Sequence, residues 1–77
     1  MTKSPWRFDR DRFAFALDVV RGERGLSWRQ VADQSGVSAS TLTRIQQDKS
    51  PDMDTFAALC GWGRLSSGEF IVETKAP

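Results

Sequence analysis

Five short helices packed into a single all-α domain are what this 77-residue sequence predicts. Three observations carry that expectation. Apolar residues recur at helical spacing, serine or aspartate stands just ahead of several of these runs, and glycine stands just behind them. The first helix covers about 9–24, where Phe13, Leu17 and Val20 fall at i, i+4 and i+7 and form a core stripe. Gly22 lies near its end, and Gly25 suits the left-handed residue that stops a helix. The second helix starts at Ser27, whose hydroxyl covers an orphan N–H while Gln30 reaches back, a capping box. Val31 and Ala32 then face inward, and Gly36 closes the helix where a positive φ is needed. Ser38 caps the third helix, with Leu42 and Ile45 toward the core. Pro51 and Asp52 open the fourth, which carries Met53, Phe56, Ala57 and Cys60 on one face. Beyond Gly61, Gly63 and Gly68 a short final turn occupies 69–72. Residues 1–8 are thus an arm, 9–72 the domain and 73–77 a tail whose last three residues should fray.

Composition removes several kinds of function. A chain of this length makes one modest core, too small for a deep catalytic cavity. It contains no histidine, the commonest general base and transition-metal ligand, so neither a metal site nor a metal cofactor is expected. The single cysteine, Cys60, allows no internal disulfide or zinc cluster and fits a reducing cytoplasm. Cys60 lies on an apolar helix face and reads as a small hydrophobe rather than a nucleophile. Asp52 and Asp54 belong to a helix start, where carboxylates complement the dipole. An enzyme is therefore not expected. The N-terminus lacks the apolar run of a signal peptide, and no segment approaches membrane-spanning length. Net charge is only +1, yet basic residues outnumber acidic ones in 1–12 and 21–49 and the sign reverses in 50–77. Such asymmetry can orient a molecule on a polyanion without a large total charge.

The segment 27–47 is where function is expected to reside. Ala32 lies where two helices would cross closely, Gly36 permits a sharp reversal, Val37 plugs the corner, and Leu42 and Ile45 seat the third helix on the second. This is the layout of a helix-turn-helix; the plainer alternative is an ordinary helical hairpin in a small bundle. On the opposite face of the third helix, Ser40, Thr43, Arg44 and Gln47 fall at i, i+3, i+4 and i+7.

These residues resemble a Cro/repressor-type (XRE-family) helix-turn-helix domain, similar to those of lambdoid phage repressors. The signature comprises Arg21, Gly25-Leu26-Ser27, Val31-Ala32, Gly36-Val37-Ser38, Thr41-Leu42 and Ile45, then Lys49, Pro51, Asp54-Thr55, Leu59, Leu65-Ser66 and Phe70. The resemblance implies a compact, five-helix, lambda-repressor-like domain. It also implies that double-stranded operator DNA is the partner, that two copies bind as a homodimer, and that transcription is regulated, with repression the usual outcome. It places base contacts at Ala39, Ser40, Thr43, Arg44 and Gln47. Arg44 has the fork that suits guanine O6 and N7, while Thr43 and Ala39 suit a thymine methyl. Backbone contacts are expected at Trp28 and Arg29, on the N-terminus of the second helix, and at Thr41 and Lys49. No small-molecule effector is expected.

Departures from the family pattern leave some roles open. Trp28 replaces a frequent glutamine and can either pack inward or lie along the sugar–phosphate backbone. Arg21, which in phage repressors pairs with a late third-helix glutamate, meets Gln46 here, so a neutral hydrogen bond is expected. Asp48 takes the place of a loop glycine. Gly63-Arg64 stands where Leu-Gly is common, and Trp62 is a candidate to fill that gap. At the ends, Trp6, Phe8, Phe15, Val19 and 70–72 either enlarge the core by covering one another or form a self-association surface. Lys3, Arg7 and Arg10 could instead reach DNA as a flexible arm. The competing function class is a protein-interaction module, such as the antitoxin of a toxin–antitoxin pair.

Overall fold

The computed structural model describes residues 4–74 and contains four α-helices, a 3₁₀ turn and a two-stranded ribbon. The order is β1 (Trp6–Phe8), α1 (Arg10–Glu23), α2 (Trp28–Ser35), α3 (Ala39–Gln46), α4 (Met53–Gly63), the 3₁₀ turn Ser67–Phe70 and β2 (Ile71–Glu73). The four predicted α-helices are present, but the description "five-helix, all-α" needs correction. The expected last turn at 69–72 is split between the 3₁₀ turn and β2.

Local chemistry sets the helix ends where the sequence places them. Asp9, Ser27, Ser38 and Asp52 each accept a hydrogen bond from a backbone N–H in the first turn of the helix they precede. At Ser27 the reciprocal bond from its own N–H to Gln30 Oε1 is 2.8 Å long, completing the capping box. Gly36 closes α2 in the left-handed region at φ 78°, as expected. Asp48 also adopts a positive φ, 75°. At the end of α4 the left-handed residue is Arg64, at φ 55°, in the place where glycine would carry no steric cost.

Strand β1 runs antiparallel to β2, with Trp6 opposite Glu73, Arg7 opposite Val72 and Phe8 opposite Ile71. The described parts of arm and tail therefore pair with each other, and Arg10 lies in the first turn of α1 rather than in a free arm. Lys3 and residues 75–77 lie outside the described residues. The ribbon carries Phe8 into an aromatic cluster in which Phe56 touches the other three rings, and so does Phe13. The Phe13 ring centroid lies 5.5 Å from Phe8, 5.0 Å from Phe56 and 5.1 Å from Phe70. Asp9 N–H donates to the Phe70 carbonyl at 2.7 Å, fastening the start of α1 to the C-terminal segment.

Phe13, Leu17, Val31, Val37, Leu42, Ile45, Leu59 and Phe70 make the buried core. Two sequence expectations change. Val20 is only half-buried, and the buried side of α4 is centred on Leu59, with Met53 and Ala57 exposed. The predicted α4 face instead lines a shallow groove of about 390 Å³ through Met53, Phe56, Ala57 and Cys60. The gap beside Gly63 is occupied by Leu65, whose Cγ would stand 3.1 Å from a Cβ at that position. Trp62 is turned elsewhere: its Nε1–H donates to Gln34 Oε1 at 3.0 Å and Arg24 lies over its ring at 4.8 Å.

Phe13 is fully buried and touches three other rings, so Phe13→Ala should cost about 3–5 kcal/mol of unfolding free energy. Urea denaturation checks this, and a loss under about 1 kcal/mol would contradict the assigned core.

Candidate nucleic-acid interface

Helix α3 is held by its apolar side and offers its polar side to solvent. Leu42 and Ile45 are each 1% exposed, whereas Ala39, Ser40, Thr43, Arg44 and Gln47 are all exposed. The five expected base-contacting residues therefore share one outward surface with no part of the described chain covering them. Within that surface the hydroxyls differ. Thr43 Oγ1 donates to the Ala39 carbonyl at 3.0 Å, so its proton is used within its own helix, and the methyl and the oxygen's lone pairs are what it offers outward. Ser38 Oγ donates to Thr41 Oγ1 at 2.8 Å and lies 3.4 Å from Ser40 Oγ, a row of hydroxyls along the start of the helix.

Basic groups flank α3 on two sides. Thr41, Arg44 and Lys49 line one open cleft of about 470 Å³ together with Ser50, Asp52 and Thr55. Arg29 and Ala39 line another, of about 490 Å³, across the α2–α3 turn with Gly36, Val37 and Ser38. Among the described residues Arg29, Arg44 and Lys49 take part in no ion pair, so their charge is available to an outside anion. At the start of α2 the capping box uses the amides of Ser27 and Gln30. The N–H groups of Trp28 and Arg29 have no intrahelical acceptor, at the positive end of the helix dipole.

Two pairings differ from those expected. Arg21 does not meet Gln46. Its Nη2 and Nε donate to Asp18 Oδ1 at 2.7 and 3.1 Å, and its Nη1 donates to the Leu26 carbonyl at 2.8 Å. A carboxylate one turn away is a better partner for a guanidinium than a distant neutral amide. Gln46 instead donates to the Leu42 carbonyl of its own helix at 3.2 Å. Trp28 is half-buried against the core, with the Arg21 guanidinium 5.1 Å from its ring centroid. The sequence offered Arg10 only as part of a flexible arm reaching DNA, whereas in the structure it sits in α1 and its guanidinium donates to the Ile45 carbonyl at the end of α3. The available signal was an arginine in the first turn of a helix, a poor place for a cation.

No group of three or more acidic or cysteine side chains able to hold a metal occurs among the described residues. The Cys60 thiol is pushed up from its ordinary value by partial burial, which leaves it a weak nucleophile at neutral pH. No helix of the described chain is long and apolar enough to cross a membrane.

Two short helices meeting across a left-handed glycine, the second presenting an uncovered polar face between basic groups, define a helix-turn-helix. The chain belongs to that family: its helix-turn-helix model matches residues 19–61. The chain is similar to the HTH-type transcriptional regulator PuuR of Escherichia coli (strain K12), at 39% identity over 62 residues. That match covers 79% of this chain and 34% of PuuR, and the protein of the same name from Shigella flexneri gives the same values. The chain thus spans about a third of the length of the curated relatives it matches. No solved structure matches it. The XRE-family resemblance is borne out, and the family comprises DNA-binding transcription regulators rather than enzymes.

Asp52 secures the start of α4, just past the Lys49 loop, and its carboxyl is held below the ordinary value of 3.8. The causes are hydrogen bonds from Thr55, first its backbone N–H and then its side chain. A carboxyl lowered on folding stabilises fully above its unfolded value, and that contribution disappears as the pH falls through the lower folded value. Asp52→Ala should therefore melt below the parent protein at pH 7, and the gap in Tm should close as the pH is taken below 3.8. A gap that is constant from pH 7 to pH 2 would show that the carboxylate charge plays no part.

Proposed function

We propose that this chain binds double-stranded DNA sequence-specifically as a small transcriptional regulator, a repressor, with α3 in the major groove. The observation that carries the reading is the exposed stripe on α3 with unpaired basic groups on both flanks. A major groove about 12 Å wide admits one helix, and an uncovered polar face is what such a helix must present to base edges. Ala39, Ser40, Thr43, Arg44 and Gln47 make the base contacts. Arg44 grips a guanine edge with two donors, and Thr43 and Ala39 meet thymine methyls. The Trp28 and Arg29 amides, the Arg29 side chain, Thr41 and Lys49 hold phosphates on either side and set the register of the helix. The domain acts in the cytoplasm, with 9–72 as the DNA-binding unit, and β1 of the arm pairs with β2 at the end of that unit. Two copies bind half-sites about one helical turn, about 34 Å, apart. The exposed side chains of Phe15, Val19, Met53 and Ile71 offer apolar area for the contact between them.

Selection of bound duplexes from a randomised pool at physiological salt tests the reading. Enrichment of an inverted repeat is expected, and a folded protein that enriches nothing would overturn it in favour of a protein partner. On the selected duplex, Arg44→Ala should lose about 1–3 kcal/mol and relax the preference at one base pair. Unchanged affinity with an intact consensus would remove Arg44 from the reading set. Lys49→Ala should weaken all duplexes alike and reduce the slope of log K against log salt by about one unit. A changed consensus would contradict a phosphate role for Lys49.

A further inference from the structure

Arg10 occupies a position that electrostatics disfavours. It is the first residue of α1, at the positive end of that helix, where a cation is destabilising. Its guanidinium leaves its own helix. Nη1 donates to the carbonyl of Ile45, 35 residues further along, Nη2 donates to Asp11 Oδ1, and Nε lies 3.0 Å from Asp48 Oδ1 as an ion pair. The side chain is only 16% exposed and lies in a polar cleft of about 290 Å³ between the β1–α1 junction and the loop after α3. Both carboxylates are well exposed, 85% for Asp11 and 87% for Asp48, so the ion pairs alone contribute little. The contact that decides the matter is the one to the backbone of α3.

Ile45 lies in the last turn of α3, where carbonyls lack intrahelical donors. The N–H of Gln47 serves Thr43 and Arg44, and the N–H of Lys49 returns to the Arg44 carbonyl at 3.0 Å. That last bond is the long closure of a Schellman motif, and it requires the left-handed backbone of Asp48. In this motif the Ile45 carbonyl is the second acceptor, and here Arg10 donates to it. The same guanidinium takes the carboxylate of the left-handed residue itself. One side chain thus caps the negative end of α3 and clips the residue that directs Lys49 away from it.

We propose that Arg10 is a positioning residue of the DNA interface. It fixes the end of α3, and with it the places of Gln47 and Lys49, without touching DNA. The inference rests on the DNA-binding reading above, and two arms of one experiment separate the two. Arg10→Met keeps the aliphatic stem and removes every donor. In the free protein, its Lys49 amide should exchange with solvent about tenfold faster, while the amides of Leu17 and Leu59 keep the parent's rates. Unchanged exchange at Lys49 overturns the proposal whatever the DNA result. On the selected duplex, Arg10→Met should bind about tenfold more weakly, and that loss should shrink to about twofold or less when Lys49 is already alanine. An equal loss in both backgrounds, with the salt slope lowered by about one unit in each, would make Arg10 a phosphate contact and overturn the proposal. Arg10→Lys keeps the charge but not the fork, and should remain weakened; full parental affinity there would also overturn it. If the parent protein selects no duplex, the functional reading fails, and the exchange arm alone decides whether Arg10 holds the end of α3.

Discussion

An eight-residue helix cannot sustain itself in water, and α3 is eight residues long. Its helicity and its orientation depend on burying Leu42 and Ile45 against a core that must already be in place. Everything else in the structure can be understood from that dependence. The core is centred on Phe13 of α1, which touches Phe8 from the ribbon, Phe56 from α4 and Phe70 from the 3₁₀ turn. Helix α2 adds Val31, and the turn adds Val37. Only two side chains of α3 are thus spent on attachment, and the remaining surface is free to be polar without an energetic conflict.

The attachment fixes the lean of α3 but not its ends, and each end has its own device. At the start, Ser38 bonds the Thr41 amide at 3.2 Å while Gly36 turns the chain at φ 78°. At the finish, Asp48 turns left-handed and Arg10 caps the Ile45 carbonyl. Recognition of base edges needs a helix placed to within a fraction of an ångström, because bidentate contacts fail when either donor is displaced. A short helix with both ends fixed and its back buried meets that requirement at little cost in surface.

The legible part of this fold was the part written in local chemistry. Caps at Ser27, Ser38 and Asp52 and the left-handed Gly36 each depend on residues within four positions, so the sequence alone locates α2, α3 and α4, and the spacing of Phe13 and Leu17 locates α1. The outward stripe on α3 was legible for the same reason, since helical spacing is local. The ribbon was not. Its strands are three residues long, too short to show alternation, and Trp6 finds Glu73 across nearly the whole chain. Leu59 and Met53 exchanged expected roles because the composition of α4 is apolar on more than one side, so packing partners rather than periodicity chose the buried face. Arg21 and Arg10 were hidden differently. Arginine reaches several partners, and which one it takes is settled by tertiary placement, as Asp18 and Ile45 show.

In the proposed function, the exposed side of α3 and its basic flanks are the surface that meets DNA. Titrating the isotope-labelled protein with its selected duplex, and following each backbone amide by NMR, tests this most directly. The largest shifts are expected on 39–47, on Trp28 and Arg29, and on Lys49, with smaller shifts, from contact between the two bound copies, around Phe15, Val19, Met53 and Ile71. Largest shifts on the ribbon or along the groove around Met53 and Phe56, with α3 silent, would contradict that assignment.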